Sequence, residues 1–307
     1  MIVAMKKVFL FLQQEHASEA LGNLAALGVM HVEHQNPPAG LELNEVNEKL
    51  NIIEQALIII SAVAQEKNQP LAHQKTADPI FISHHIIDLQ KRYDHLREYL
   101  VTLRSLIDLW KDWGDFDPQK ISQLRQKNIY LKLYQIPKEQ LKNLPKDIIV
   151  QKIFSADGLQ NCVVFSYGDI QLAFKELEPP KSSLSWMQQR LAEDAKIILG
   201  LKEQLGQQLS YRDNLMAEKK ALINKRDFYE ALKGMGQANQ LVYLKGYIPV
   251  DVEKILIIEA KKNGWGILTS LPQETDEVPT LVRNPAWISV IKPLLKLLEL
   301  IPGYNEI

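Results

Sequence analysis

The feature that most constrains the fold is a long stretch without proline, from Ser182 to about Met235. A helix of roughly 50 residues is about 75 Å long, which greatly exceeds the width of a small domain. Apolar side chains recur in it every seven residues, with a companion seam of three leucines, as in a coiled coil. They are Leu184, Leu191, Ile198 and Leu205, then Leu201, Leu215 and Leu222. Asp194, Gln208, Arg212 and Lys219 interrupt the seams, which predicts a loose two-helix contact.

The partner of this helix is predicted earlier in the chain. Residues 43–68 have helical periodicity without Gly or Pro, residues 69–79 interrupt it, and residues 83–113 resume it. Apolar residues spaced by three and four form one stripe on the second segment, from Ile86 to Trp110. These helices sum to a length similar to that of the 182–235 segment. The economical arrangement is an antiparallel hairpin in which each limb buries its stripe on the other.

Both ends of the chain have a strand-helix-strand pattern. At the start, residues 7–12 form a strand, Ser18 caps a helix over 19–26, Gly28 ends it, and residues 29–32 form a second strand. Near the end, strands over 241–247 and 265–271 flank a helix over 252–262. Each unit alone is too small to bury its apolar face. Residues 1–36 and 239–275 are therefore predicted to share a four-stranded sheet with two helices on one side, as in ferredoxin-like folds.

A second compact region lies between the helical limbs. Strands are predicted over 129–134, 148–154, 162–167 and 172–177, with a short helix over 137–144. The predicted fold class is therefore α+β, with two small lobes joined by a long antiparallel coiled-coil hairpin. The predicted domains are a proximal lobe (1–40 plus 239–307), an arm (41–126 plus 181–238) and a distal lobe (127–180). Such a chain would be elongated, on the order of 80–110 Å from end to end, a length that small-angle scattering measures.

Composition excludes several classes of function. The chain has 36 basic and 37 acidic residues, and this balance argues against a dedicated nucleic-acid binder. Cys162 is the only cysteine, so neither an intramolecular disulfide nor a cysteine-based metal site is expected. The longest apolar runs, near 8–12 and 56–64, are far shorter than the roughly 20 residues of a membrane span.

No catalytic, cofactor or metal site is predicted. His84 and His85, and likewise His31 and His34, lack carboxylate or cysteine neighbours at ligand spacing. None of the glycines belongs to a phosphate-binding loop pattern. Cys162 has no histidine near it in sequence, so it is expected to be a buried small hydrophobe.

The last part of the chain changes character. Pro279 and Pro285 predict an extended strap, followed by an amphipathic helix over about 287–298 that Pro293 would kink. This helix carries Lys292, Lys296 and Glu299, so packing against the proximal lobe is favoured over insertion into lipid.

Several short motifs resemble subunit I, also called subunit a, of rotary V/A-type ATPases. The opening residues Met5-Lys6-Lys7-Val8, Leu27-Gly28-Val29 and His31-Val32-Glu33 are similar to the start of that family. The segment Lys245-Gly246-Tyr247-Ile248-Pro249 resembles a turn of the family in which tryptophan is commoner than Tyr247. The string Val278-Pro279-Thr280-Leu281, followed by Asn284-Pro285, resembles the most specific string of the family. The string Pro302-Gly303-Tyr304-Asn305-Glu306-Ile307 resembles the family's segment just before its membrane domain.

The resemblance implies a function without catalysis. In that family the soluble part is a stator arm on the cytoplasmic face of the membrane. Its lobes bind the coiled coils of the peripheral-stalk heterodimer, and the proximal lobe takes a second stalk or the rotor-cap subunit. The partner-binding surfaces are thus expected on residues 127–180 and on 1–40 plus 239–275. The resemblance also implies that this chain is a fragment, because the ion-conducting membrane domain of the family is missing from it.

Two other functions compete with the stator arm. One is a coiled-coil tether or scaffold unrelated to ATPases, whose best-known class carries an ATPase head with a phosphate loop. The other is a ligand-sensing ferredoxin-like module, which needs a pocket and which thermal-shift screening with metabolites would reveal. Neither explains the strap at Val278-Pro279-Thr280-Leu281.

Overall fold

The computed structural model describes residues 2–67, 76–238 and 240–282. Helices and strands alternate in blocks along these residues. The helices are α1 (Ala17–Leu27), α2 (Leu41–Lys67), α3 (Pro79–Trp110), α4 (Pro118–Gln126), α5 (Leu184–Gln207), α6 (Arg212–Lys233) and α7 (Glu253–Asn263). The strands are β1 (Ile2–Val3), β2 (Met5–Gln13), β3 (His31–Glu33), β4 (Ile129–Pro137), β5 (Ile149–Ala156), β6 (Leu159–Tyr167), β7 (Lys175–Leu177), β8 (Gly236–Ala238), β9 (Leu241–Pro249), β10 (Gly266–Ser270) and β11 (Leu281–Val282).

The chain divides into two compact units. Among the described residues, the first comprises 2–57, 76–83, 213–238 and 240–282, and the second comprises 58–67 and 84–212. Each unit combines helices with an antiparallel sheet. The prediction of a mixed α and β fold with two sheets is therefore confirmed.

Strand β2 lies at the centre of the sheet in the first unit. It pairs with β9 from Met5↔Pro249 to Gln13↔Leu241, and with β10 from Phe11↔Gly266 to Lys7↔Ser270. The far side of β9 pairs with β3 and β8. The order is β10-β2-β9-β3, and every pairing is antiparallel. Residues from the two ends of the chain thus share one sheet.

One face of this sheet forms the core of the first unit. Val8, Leu10 and Leu12 alternate along β2 and are buried in one cluster with residues of α1 and α7, among them Leu21 and Leu256. Both helices therefore lie on the same face of the sheet. Full burial of each such side chain contributes roughly 1.5–3 kcal/mol to folding. Turning this face of β2 toward the solvent would therefore be strongly unfavourable.

Glycine ends helices α1 and α7 of the first unit. Gly28 and Gly264 have left-handed φ angles of 61° and 69°, which glycine adopts without steric cost. The predicted end of α1 at Gly28 is thus confirmed, but the predicted cap is wrong. Ser18 lies inside α1, because a 3-10 turn over Gln14–His16 leads directly into the helix. A similar 3-10 turn, Val250–Val252, precedes α7.

Helices α2 and α6 run in opposite directions in the first unit. Glu42 near the start of α2 pairs with Lys233 at the end of α6, at 3.5 Å between Oε2 and Nζ. Further along α2, Glu54 pairs with Lys219 nearer the start of α6, at 2.8 Å. Partly exposed ion pairs of this kind contribute about 0–1 kcal/mol each, so they orient the helices more than they stabilise them.

The prediction of one uninterrupted helix from Ser182 to Met235 is wrong. Helix α5 ends at Gln207, a 3-10 turn covers Gln208–Tyr211, and α6 begins at Arg212. Two consecutive seam positions, Gln208 and Arg212, are polar, so little apolar surface holds the regular helix there. The Ser210 hydroxyl also donates to the Gln207 carbonyl at 3.0 Å and competes with the backbone ladder.

The second unit contains a sheet in the order β5-β6-β4-β7. One face packs on α3 and α5, where Leu133 and Val163 share a cluster with Leu100, Leu103 and Met187. The other face carries a second cluster that includes Tyr134, Cys162 and Val164. The hairpin of β5 and β6 turns at Asp157 and Gly158, whose φ angles of 49° and 80° suit a two-residue loop.

The second unit differs from the sequence prediction at two places. The helix expected over 137–144 is a 3-10 turn, Lys138–Asn143. Helix α4 was not predicted, although its start carries a standard signal. The Asp117 side chain accepts a hydrogen bond from the Gln119 backbone N–H at 2.8 Å, and Pro118 occupies the first turn.

The strap is described as far as Val282. Its last residues form β11, which pairs with β1 so that Val3 lies opposite Leu281. Leu281 is buried with Met5 and Tyr247. The amphipathic helix predicted over 287–298 and the motif at 302–307 lie outside the described residues. Within residues 2–67, 76–238 and 240–282, no helix combines the length and the apolar character that crossing a membrane requires.

Candidate partner-binding surfaces

Among residues 2–67, 76–238 and 240–282, no cluster of three or more His, Cys, Asp or Glu side chains suits a metal ion. His84 and His85 are exposed on α3. Cys162 is fully buried, as the sequence predicted, and burial raises the pKa of its thiol above the ordinary value. A thiol held in its neutral form is a poor nucleophile.

His31 and His34 line one open groove in the first unit. Strand β3 ends at Glu33, so His34 lies beyond the strand, and the two rings are not held on opposite faces by strand alternation. The groove has a volume of about 650 Å³ and is also lined by Leu24, Phe228 and Glu230. It is the type of feature that the ligand-sensing alternative requires, and that alternative remains a prediction.

Two exposed apolar side chains mark one end of the sheet in the second unit. Ile149 of β5 is 71% exposed, and Tyr167 of β6 is 80% exposed. Ile149 lies opposite Phe165, and Tyr167 follows Phe165 by two residues, so all three side chains belong to one face. Diagonal neighbours on a sheet are within reach of an aromatic side chain. This pair is called the distal patch below.

The face of the first unit's sheet that α1 and α7 leave uncovered is aromatic. Phe9 and Phe11 of β2 lie opposite Lys245 and Tyr243 of β9, and Leu268 of β10 lies opposite Phe9. The rings of Phe11 and Tyr243 are 6.1 Å apart between centroids. Phe11 and Leu268 are exposed. This group is called the open sheet face below, and it occupies the lobe on which the sequence placed the second binding surface.

Ion pairs border the open sheet face. Lys7 Nζ lies 2.6 Å from Asp276 Oδ1, and Lys245 Nζ lies 2.6 Å from Glu33 Oε1. The hydrogen bond from Lys7 holds the pKa of Asp276 below its usual range. The hydrogen bond to Glu33 raises the pKa of Lys245. The two ion pairs join the strap and β3 to the sheet.

Gly246 is explained by close packing rather than by a turn. The segment Lys245–Pro249, interpreted as a turn from the family resemblance, lies in strand β9. A Cβ atom on Gly246 would overlap the carbonyl oxygen of His31 in the neighbouring strand. Only glycine allows β3 to approach β9 here.

Helices α3 and α5 of the second unit carry an apolar surface that the sequence prediction did not assign to binding. Tyr99 and Leu106 are exposed on α3, and Trp186 and Ile197 are exposed on α5. All four stand next to seam residues in sequence. The heptad pattern already indicated these exposed residues. Apolar residues at positions that flank a seam are not needed for the contact between the two helices.

Comparison with known proteins finds subunit I of V-type ATP synthases. The chain is 25% identical to "V-type ATP synthase subunit I" of Borreliella burgdorferi over 316 aligned positions, which cover 100% of this chain and 50% of that protein. It is 23% identical to "V-type ATP synthase subunit I 1" of Treponema pallidum, with 100% of this chain and 52% of that protein covered. The chain thus spans about half the length of these curated relatives. No protein-family model matches it.

A solved structure is also similar. It is described as the cytoplasmic N-terminal domain of subunit I, a homologue of subunit a, of V-ATPase. The alignment covers 86% of this chain and 100% of that chain, with 13% identity and a TM-score of 0.36. The resemblance to the V/A-type ATPase subunit I family that the sequence motifs indicated is confirmed by the matches to the curated relatives.

Proposed function

We propose that this chain, which is similar over its whole length to V-type ATP synthase subunit I, is a stator arm of a rotary V/A-type ATPase. The arm links peripheral stalks to the part of the enzyme that conducts protons or sodium ions. The observation that carries the proposal is the similarity to two subunit I proteins over 100% of the chain. The chain itself has no catalytic role in the proposal, and it works on the cytoplasmic face of the membrane.

The arrangement of the first unit supports a proximal lobe of the ferredoxin-like type. The order β10-β2-β9-β3, with α1 and α7 on one face of an antiparallel sheet, is the order of that fold. We retain the division into a proximal lobe (1–40 plus 239–307), a helical arm (41–126 plus 181–238) and a distal lobe (127–180). The antiparallel course of α2 and α6, and of α3 and α5, supports a helical hairpin as the arm.

The distal patch is proposed as the contact for one peripheral-stalk heterodimer. Ile149 and Tyr167 have large exposed apolar surfaces, and exposed apolar groups of this kind mark interaction sites when they lie together. The open sheet face is proposed for the second stalk or the rotor-cap subunit. A stalk helix would lay its apolar stripe on such a surface.

Titration of purified stalk heterodimer against the chain tests the proposal. Micromolar binding is expected, corresponding to about −8 kcal/mol. The double variant Ile149→Ser and Tyr167→Ser is expected to bind about ten-fold more weakly. Ile58→Ser, at an exposed residue of α2 outside both proposed surfaces, serves as the control. Substitution is preferred to deletion of residues 127–180, because Leu133 and Val163 share a core with α3 and α5.

The outcomes separate the parts of the proposal. If the stalk heterodimer does not bind the unaltered chain, the stator function is wrong. If it binds and the distal-patch variant is as tight as the control, the stator function stands and the patch is the wrong surface.

A further inference from the structure

The chain passes twice between the sheet and the helices α2 and α6 of the first unit. Residues 34–40 lead out from β3 to α2, and residues 234–235 lead back from α6 to β8. Both crossings belong to the first unit. The attachment of one crossing to the other decides whether α2 and α6 are held to the sheet separately or as a pair.

Hydrogen bonds join the two crossings directly. The carbonyl of Gly234 accepts from the backbone N–H of Gln35 at 2.8 Å and from that of Asn36 at 3.3 Å. The Asn36 side chain donates from Nδ2 to the carbonyl of Met235 at 2.7 Å. Carbonyl groups at the end of a helix lack donors from the helix itself, so residues 35–36 supply them for α6. These four residues are called the joint below.

Glycine is required at position 234 by close packing. The N–H of Gly234 donates to the carbonyl of Glu230 at 2.8 Å and so continues the pattern of α6. A Cβ atom on Gly234 would lie 2.8 Å from the same oxygen and would overlap the ring of His34. At Gly236 a Cβ atom would overlap the ring of Tyr243. These two glycines, which match no phosphate-binding loop, are therefore explained by how closely the crossings are packed.

The two crossings differ in how they are anchored. Met235 of the returning crossing is 6% exposed and lies in the core of the first unit together with Ala231 and Leu24. None of residues 34–40, all of which the structure describes, is buried. The outgoing crossing therefore gains its attachment to the core through the joint, by way of Met235.

The neighbouring elements make the joint important for α2. Strand β3, from which the outgoing crossing starts, pairs with β9 through three residues, His31–Glu33. The ion pair of Glu42 with Lys233, next to the joint, is largely exposed and contributes little. Leu43 and Val46 are buried, so α2 is packed from its first turns onward. The joint thus fixes the point at which a packed helix begins.

We propose that the joint is a rigid coupling that fixes the start of α2 to the end of α6. A load on either helix is then shared by both helices and by the sheet of the first unit. Without the joint, a load on α2 would reach the sheet through the exposed residues 34–40 and the short strand β3. The inference concerns the first unit alone, so it holds or fails independently of the stator function.

Hydrogen exchange of backbone amides, measured by mass spectrometry on the full chain, tests the coupling. Asn36→Ala removes the Nδ2 donor and is expected to speed exchange of residues 35–46 about five-fold. Gly234→Ala displaces His34 and the end of α6 and is expected to speed it about ten-fold or more. Residues 242–248 of β9 are expected to change less than about two-fold in both variants, because their strand pairing is untouched.

The control variant removes a bond of the same type at the other end of α6. Asn214 donates from Nδ2 to the carbonyl of Ala77 at 2.9 Å. Asn214→Ala is expected to change the exchange of residues 35–46 less than about two-fold. Circular dichroism checks that each variant is folded, and Asn36→Ala decides the matter if Gly234→Ala does not fold.

Faster exchange confined to residues 35–46 in the joint variants supports the coupling. Three results would overturn it. One is exchange of residues 35–46 in the unaltered chain at the rate of an unstructured peptide. Another is unchanged exchange of these residues in folded Asn36→Ala. The third is an equal acceleration of residues 35–46 and 242–248, or the same acceleration in Asn214→Ala, because either would reflect a general loss of stability.

Discussion

At the scale of single residues, two glycines differ in the space that surrounds them. Gly246 is required by the approach of β3, whereas Gly22 on the outer side of α1 has open space around it. Replacing Gly246 with alanine forces a backbone shift between two strands. Replacement by alanine is therefore expected to change the free energy of unfolding in opposite directions at the two positions.

Gly246→Ala is expected to lower the free energy of unfolding by about 2–3 kcal/mol, because its Cβ overlaps the His31 carbonyl. Gly22→Ala is expected to raise it by up to about 1 kcal/mol, since alanine favours the helix. Urea denaturation of both variants measures the difference. Equal stability of the two variants would show that β3 does not approach β9 as described.

Cys162 is expected to be unreactive toward a thiol reagent at neutral pH while the protein is folded. The side chain is fully buried, and burial raises the pKa of its thiol, so little thiolate is available. In guanidinium chloride one thiol per chain should react. Rapid labelling of the folded protein would contradict the burial of β6.

The ion pair of Lys7 and Asp276 should make stability depend on acid pH. Because the folded state lowers the pKa of Asp276, the stabilisation is present above the ordinary aspartate pKa of about 4 and is lost as pH falls through the folded value. Asp276→Asn is expected to lower the thermal midpoint near pH 7 and to have less effect near about pH 3. Glu274→Gln, an exposed carboxylate in the same loop, is the control. A midpoint difference that does not change with pH would disprove the link.

At the scale of elements, the periodicity of apolar residues predicted most helices and strands. Capping residues and polar seam positions explain where helices end. Gly28 ended a helix as expected, because a left-handed residue is needed there. The absence of proline does not ensure a continuous helix, because the chain forms a 3-10 turn at Gln208–Tyr211, next to the polar seam positions Gln208 and Arg212. The distal patch had no sequence signal, since the exposure of Ile149 and Tyr167 depends on where the helices that cover the sheet stop.

A fragment of residues 1–40 is expected to be unfolded. It contains β2 but neither of the strands that flank β2, because β9 and β10 come from residues 241–270. A lone strand and helix cannot bury the face formed by Val8, Leu10 and Leu12. Amide exchange or NMR dispersion measures this. A folded fragment would show that the N-terminal unit does not depend on the shared sheet.

At the scale of the whole molecule, the proposed function rests on two kinds of observation. One is a sequence similarity that covers the entire chain, and the other is the exposure of apolar residues such as Ile149, Tyr167 and Leu268. Sequence motifs indicated the family because they are short strings with fixed residues. They could not indicate the exposed apolar residues of α3 and α5, because these residues are scattered over two helices that are distant in sequence.

The isolated chain is expected not to hydrolyse ATP. No phosphate-binding loop pattern occurs in the sequence, and such a loop is how most rotary and coiled-coil ATPase heads hold the nucleotide. Release of inorganic phosphate measures the activity, with the intact enzyme complex as the positive control. Hydrolysis that survives further purification would contradict the assignment as a non-catalytic arm.

The pairing of β2 with β9 and β10 also sets an order in time. During synthesis β2 leaves the ribosome before β9 and β10, and Ser270 at the end of β10 emerges more than 200 residues after β2. At roughly 5–20 residues per second, this strand waits about 10–50 seconds for its neighbours. Residues 84–212 of the second unit are complete before that, so they are free to fold while the N-terminal strand still exposes its apolar side chains. The apolar side chains of β2 therefore wait longest for their neighbours in the nascent chain, and a message that stops before residue 241 yields a product in which β2 lacks both flanking strands.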